Sequence, residues 1–587
     1  MREKIIYCCD RVLSPISKNF VFFIFSFISL LSPSIIRDCS DIRYWVAAIP
    51  ISIAWAYILS LFVSVAKFKV IKLFCYIVLS VVTLIEIFII ISFGTRFSAL
   101  IVRLFLETNK EEAAGFFSQY VCPYIFPIAI CVVVFCGLIL ILEKRVKQLV
   151  LEPFPLILKF ATSLLLLLLV LLVTFRSVRE IRLLRNNNNI ATIFQTRLQY
   201  TYGGLYTSYG LLIDAFNNWI ITSKDIDELA LTLNQPIKVS TNFRASHICM
   251  IIGESFNKHH ASIYNYHLNT TPILKHEAEV GRLFVFNDVV TPVNATIEAM
   301  QLFSSFSSKD NNLKWSQTPL LPRIFKLAGY FCSFISNSEV MSSEESVWDT
   351  KNNYWVSKKT APLMFDVQNA KRYQYDHLLL KELEKANLAS NGNSFTMIHL
   401  LGQHSDYKDR YPKEFTKFTS ADYIDSSLET SQKEGIAHYD NATYYNDYVL
   451  GEIFKYYQDK EAIIVYFSDH GEEVHDYRNF VGRSHESTLT PERAKYQFEV
   501  PFMVWISDSY KTNHPDVVTM VENAVNLPYM IDDLPHMMLD LAGIECDWFD
   551  PTRSVINSLF NANRRRLLLD SRLDYDEIMS QKGNNEI

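Results

Sequence analysis

The chain has 587 residues, 49% hydrophobic and 20% charged, which excludes a disordered or fibrous protein and leaves room for two to four domains. Its 56 basic and 62 acidic residues give a formal net charge of -6, so no basic footprint marks it for a phosphate backbone and nucleic acid is not an expected partner. A mean hydropathy of +0.09 sets aside a wholly soluble enzyme, and the excess lies in the first third of the chain.

Apolar runs over 19–36, 44–66, 73–93, 124–142 and 154–175 each approach the ~20 residues that cross a bilayer, and only Glu86 and Lys159 interrupt them with charge. Five spans are therefore expected, with the two ends of the chain on opposite sides. Arg2, Lys4, Arg11 and Lys18, then Lys67, Lys69 and Lys72, then Lys144, Arg145 and Lys147 mark three cytoplasmic segments, whereas the loops at 37–43 and 96–112 mix acids with bases. Everything after residue 175 is then exported. No small-residue cleavage site follows the first span, which reads as a retained anchor.

Residues 176–240 are polar and amphipathic, with Arg176, Arg179, Arg182 and Arg185, a run of asparagines at 186–189, and Tyr200, Tyr202, Tyr206 and Tyr209. Tyrosines with one wet end suit a membrane interface, and the segment is expected to be an interfacial linker. Of ten cysteines only Cys249, Cys332 and Cys546 fall in the exported part, so no disulfide framework is expected there.

Over 241–587 the pattern changes to short apolar runs, at 247–252, 330–335, 395–401, 462–467 and 500–506, alternating with helical stretches. That is the signature of an α/β domain with a mostly parallel sheet, whose ligands lie outside the carboxyl ends of the strands. Gly253-Glu254-Ser255 follows the first run, Gly402-Gln403-His404 the third and Ser468-Asp469-His470-Gly471 the fourth. Carboxylates and imidazoles gathered at one sheet edge make a mixed oxygen and nitrogen donor set suited to zinc or manganese. Residues 253–257 lack the second glycine of a nucleophile elbow, so Ser255 is assigned to turn hydrogen bonding. Residues 288–300 pass from an extended stretch into a helix with Thr296 at its start, either as a plain N-cap or as a metal-activated nucleophile beside an anion-binding helix end.

These motifs, together with Tyr264-Asn265-Tyr266, Thr270-Thr271-Pro272, Asn294-Ala295-Thr296-Ile297-Glu298, Arg410-Tyr411-Pro412 and Glu472-Glu473, resemble the bacterial phosphoethanolamine transferases. Asp550-Pro551-Thr552-Arg553-Ser554 is most similar to the branch that modifies the lipopolysaccharide core. The resemblance implies a five-helix transmembrane domain over 1–175 in the inner membrane, the linker over 176–240, and a periplasmic catalytic domain of alkaline-phosphatase/sulfatase-like fold over 241–587. It implies that Glu254, Thr296, Asp469 and His470 hold zinc, as one or two ions, with manganese compatible with the same donors. Thr296 would be the nucleophile, carrying phosphoethanolamine from phosphatidylethanolamine to a lipopolysaccharide or other periplasmic glycan through a zinc-bound phosphothreonine. His404 and His485 would serve a second zinc, the phosphate or proton transfer, with His475 and His399 as alternatives to His485. Thr108 and Glu112 match positions lining the path of the lipid headgroup, and a monomer is expected. The competing functions are a phosphodiesterase or sulfatase-type hydrolase and an inactive, envelope-binding membrane protein. The Cys/Ser-x-Pro-x-Arg signature of a sulfatase is missing around Thr296.

Overall fold

The computed structural model describes residues 2–37, 42–66, 69–93, 137–139, 141–146, 154–186 and 224–580, apart from 339, 341–352, 391, 485–488 and 570–572. The chain divides into two compact units, one of residues 1–220 with 484–487 and one of 221–483 with 488–587.

In the first unit the apolar runs form helices α2 (Phe20–Arg37), α3 (Ile42–Ala66), α4 (Lys69–Phe93) and α5 (Leu156–Asn186), preceded by the more charged α1 (Arg2–Lys18). Three stretches are long and apolar enough to cross a membrane, Ala48–Ala66, Val70–Ile90 and Leu156–Phe175. A fourth exists if α1 and α2, which meet at 74°, make one broken span. The described residues thus carry three or four candidate spans where the sequence suggested five, and the expected run at 124–142 lies outside them up to residue 136. Asn19 makes the break, donating its side-chain amide to Pro15 O at 3.3 Å and to Ser64 Oγ at 2.8 Å. The one lysine within an apolar run has a partner, with Lys159 Nζ 3.0 Å from Asp10 Oδ1, as the cost of an unpaired charge in hydrocarbon demands. Lys72 and Glu143, from two of the expected cytoplasmic segments, pair at 2.8 Å.

The second unit is built on a seven-stranded sheet of β1 (His247–Gly253), β2 (Leu283–Phe286), β3 (Phe331–Ser336), β4 (Val367–Gln368), β5 (Ser394–His399), β6 (Ala462–Ser468) and β7 (Phe502–Ile506), in the order β2-β7-β6-β1-β5-β3-β4. The five apolar runs coincide with β1, β3, β5, β6 and β7 to within a residue or two. The run of parallel strands from β6 to β4 is closed on the other side by β7, antiparallel to both β6 and β2. The carboxyl end of β7 therefore points away from the edge where β1, β5 and β6 finish, and the residues leaving it belong to the opposite side of the sheet.

Alternation splits the central strands between two cores. Ile248, Met250 and Ile252 of β1 join Ile463, Val465 and Phe467 of β6 on one face, while Cys249 and Ile251 join Ile464 and Tyr466 on the other. Helix α8 (Thr430–Tyr457) buries Tyr445, Val449, Leu450 and Ile453 in the second core. Burial on both faces is what gives continuous apolar strands rather than alternating ones. Cys249, Cys332 and Cys546 are free thiols, the first two buried in the sheet. The short helices α6 (Pro272–Glu279) and α7 (Thr296–Ser304) follow β1 and β2.

Candidate metal centre

Because β1 and β6 are adjacent, parallel and in register, with Gly253 opposite Ser468, the residues that leave them emerge side by side. Glu254, Asp469 and His470 are all buried and form the one such group of potential metal donors among the described residues, with ligand atoms within 4.8 Å of one another. Around His470 Nε2 lie Glu254 Oε1 at 3.2 Å, Asp469 Oδ2 at 3.1 Å and Thr296 Oγ1 at 3.2 Å. Thr296 Oγ1 also sits 3.2 Å from Glu254 Oε2.

His470 Nδ1 faces the Gly471 carbonyl at 2.9 Å. A carbonyl only accepts, so Nδ1 carries a proton, and Nε2, the ring nitrogen turned toward the carboxylates, is the one placed to serve a metal. Asp469 Oδ2 is buried without a hydrogen-bond donor, while its Oδ1 accepts from the backbone N–H groups of Ser255 at 3.2 Å and His470 at 2.8 Å. Donors of a tetrahedral zinc site, with bonds of ~2.0 Å, stand ~3.3 Å apart. The separations around His470 Nε2 match that edge, so the four side chains fit a divalent ion. Burial alone would push the Glu254 carboxyl up, but the His470 imidazole bonded to it, with the charges of His404 and Arg483, holds it well below the usual range.

Thr296 is the first residue of α7, and the N-cap is Ala295, which offers no side-chain cap. The threonine hydroxyl is thus not the cap of its own helix but faces the donor cluster. Thr291 Oγ1 anchors the approach to the helix by donating to Asp469 O at 2.7 Å.

Two glycines are required by contact. Gly402, at φ +51°, approaches Glu254 so closely that a Cβ would lie 3.0 Å from both its backbone N and O. A Cβ on Gly471 would lie 2.3 Å from Tyr496 O. The Gly402 loop is held by Asp376, whose carboxylate accepts from Leu401 N at 3.0 Å and Gly402 N at 2.9 Å.

The structure brings Glu254, Thr296, Asp469 and His470 together. His404 stands in the Gly402 loop, outside the donor cluster, with Nδ1 3.3 Å from Ser405 Oγ. His399, fully buried at the end of β5, has Nε2 4.0 Å from Glu254 Oε2. His475 lies at positive φ, with its backbone N–H donating to Phe480 O. His485, Thr108 and Glu112 lie outside the described residues. Ser255 does more than shape a turn, since its hydroxyl donates to Glu254 Oε1 at 2.8 Å. Arg483, which the sequence does not single out, reaches His470 Nε2 with Nη1 at 2.6 Å; its place between Gly482 and the Ser484-His485 pair is the available signal.

The Sulfatase family matches residues 246–544, half of the chain. Phosphoethanolamine transferase EptC of Escherichia coli (strain K12) is 26% identical over 548 residues, covering 90% of each chain. The crystal structure of the C-terminal periplasmic domain of EptC from Escherichia coli in complex with Zn aligns with a TM-score of 0.51 at 30% identity, covering 58% of this chain and 96% of that one. The integral membrane lipooligosaccharide phosphoethanolamine transferase A from Neisseria meningitidis aligns with a TM-score of 0.62 at 15% identity, over 92% of this chain and 98% of that one, a likeness of fold.

Proposed function

The chain belongs to the sulfatase family, as one of its phosphoethanolamine transferases, and on that premise we propose that it moves phosphoethanolamine from phosphatidylethanolamine to lipopolysaccharide through a phosphothreonine at Thr296. The observation that carries the proposal is the Thr296 hydroxyl, 3.2 Å from Glu254 Oε2 and 3.2 Å from His470 Nε2, at the start of a helix with no side-chain cap. A zinc ion held by Glu254, Thr296, Asp469 and His470 would act as Lewis acid and lower the pKa of that hydroxyl.

In the first half-reaction a bond forms between Thr296 Oγ1 and phosphorus while the bond from phosphorus to the glycerol oxygen breaks, and the threonine proton ends on diacylglycerol. In the second, an acceptor hydroxyl or phosphate attacks the same phosphorus, the bond to Thr296 breaks and the threonine recovers a proton. The helix end supplies backbone N–H groups to the phosphoryl oxygens. His404 and His485 are assigned to the phosphate or to proton transfer, His404 because it stands in the Gly402 loop that packs against Glu254. Glu112 and Thr108 are assigned to the donor headgroup, where a carboxylate pairs with ammonium and a hydroxyl with phosphate. Lipopolysaccharide as acceptor is supported by the lipooligosaccharide named for the Neisseria relative and by the Asp550–Ser554 motif, and the inner membrane by the apolar helices of the first unit.

The test uses the full chain in vesicles with headgroup-labelled phosphatidylethanolamine and zinc, with and without lipopolysaccharide. Without acceptor, diacylglycerol should appear at about one equivalent per enzyme; with acceptor, label should pass to lipopolysaccharide, and Thr296→Ala should do neither. Continuous release of free phosphoethanolamine without acceptor would make the protein a hydrolase.

A further inference from the structure

Arg483 leaves the short ladder in which Val481–Gly482 pairs with Glu473–Val474, so its backbone is fixed by a strand. Its side chain is only 23% exposed, and its Nε lies 3.3 Å from Oε2 of the buried Glu472, whose Oε1 accepts from Tyr407 Oη at 2.8 Å. Nη1 donates to Asn294 O, in the segment that leads into α7, at 3.1 Å, and lies 2.6 Å from His470 Nε2. Thr296 Oγ1 borders that same nitrogen at 3.2 Å. The guanidinium is thus clamped beside the nucleophile by one carboxylate and one carbonyl, and among the described residues its Nη2 has no partner.

Resting on the transferase function above, we propose that Arg483 is a phosphoryl-binding residue, which holds the non-bridging oxygens of the phosphodiester while it is bonded to, or displaced from, Thr296. A group joined to Thr296 Oγ1 has those oxygens within reach of Nη1 and Nη2, and a guanidinium matches two phosphoryl oxygens in a fork of parallel N–H donors. It is also placed where charge grows on the equatorial oxygens as phosphorus passes between nucleophile and leaving group. Arg483 forms no covalent bond and exchanges no proton in this role. Glu472 and Tyr407 are its positioning residues.

Inorganic phosphate serves as the probe, titrated calorimetrically into the zinc-loaded, detergent-solubilised full chain. Two variants separate charge from scaffolding. Arg483→Met removes every donor of the head, whereas Arg483→Gln keeps one amide donor and removes the charge and the fork. Both should hold zinc as the wild type does, and Arg483→Met, which leaves the buried Glu472 without its cationic partner, should melt lower than Arg483→Gln, while phosphate affinity falls about 10- to 100-fold in both, the loss of one charge-assisted contact. In vesicles, the same variants should form the Thr296 adduct from phosphatidylethanolamine slower by a similar factor. Phosphate affinity within twofold of wild type in either folded variant would overturn the proposal, as would equal loss of zinc in both variants, which would make the residue structural. If the variants lose phosphate but even the wild type forms no adduct from lipid, the phosphoryl site stands and the lipid-donor function fails. An adduct formed at the wild-type rate in Arg483→Gln would overturn the phosphoryl role and leave the lipid-donor function standing.

Discussion

Removing the Ser255 hydroxyl should weaken the metal centre without unfolding the domain. Its Oγ donates to Glu254 Oε1 at 2.8 Å in a fully buried setting, so Ser255→Ala deletes one hydrogen bond to a carboxylate and no packed carbon. Such a bond is worth about 1.5–3 kcal/mol, and loss of a partner to a metal ligand typically costs about 10- to 100-fold in affinity, two routes to the same magnitude. Ser255 also sits at φ 58°, where a non-glycine residue is strained. Ser255→Gly should therefore lose the same affinity as the alanine variant but be more stable by about 1 kcal/mol, because glycine takes the left-handed region freely. Zinc affinity is read by competition with a chelator, and stability by thermal melting of the metal-free proteins. Zinc bound as tightly by both variants as by wild type would show that Ser255 does not hold the carboxylate in its ligating position. Loss of affinity in alanine but not glycine would assign the effect to backbone strain.

The other expectations concern the frame around the site. Gly402→Ala, whose Cβ would press on the Glu254 backbone from a residue at φ +51°, should cost about 1–3 kcal/mol and reduce zinc affinity, and a variant with wild-type melting and zinc binding would contradict the contact. Burial works against the His260 imidazolium, but the Asp440 and Asp476 carboxylates at 2.6 and 3.2 Å outweigh it and push its pKa up to about 10. A raised histidine pKa contributes stability that is complete below the unfolded value of about 6.5 and is lost as pH rises through the folded value. The melting temperature should thus fall between roughly pH 6.5 and 10, and less steeply in His260→Gln; parallel profiles for the two proteins would exclude this network. Arg564 Nη1 bonds the buried Asp532 at 2.8 Å, and Nη2 bonds Asp310 at 2.9 Å. Arg564→Met leaves the buried Asp532 without its arginine, while Asp310 keeps Arg553 at 2.7 Å, and should cost about 3 kcal/mol, a drop in melting temperature whose absence would show the cluster to be solvated.

The centre of the sheet could be read from the sequence because strands buried on both faces are continuous apolar runs, and β1, β5 and β6 end in residues that only a site needs. The edge strands β2 and β4, with four and two residues, carry too little pattern to stand out. The reversed direction of β7 leaves no trace in periodicity, since a buried run reads the same both ways. Glu254, Asp469 and His470 could be assigned because strand ends bring them together, and Thr296 because it opens a helix. The role of Ser255 in holding Glu254, its neighbour in the chain, turns on a side-chain rotamer, and the closeness of Arg483 to His470 on the path of the short ladder between them, neither of which residue spacing supplies. In the membrane part, hydropathy marked three of the candidate spans but not α1, whose charges hide a helix that bends into α2 at Asn19.

The most direct measurement is the intact mass and peptide map of the full chain after incubation with phosphatidylethanolamine and zinc, beside Thr296→Ala. A mass increment of one phosphoethanolamine group on the peptide containing Thr296, absent from the variant and after chelation, is the predicted result. An increment on another residue, or diacylglycerol release by the Thr296→Ala protein at the wild-type rate, would contradict Thr296 as the nucleophile.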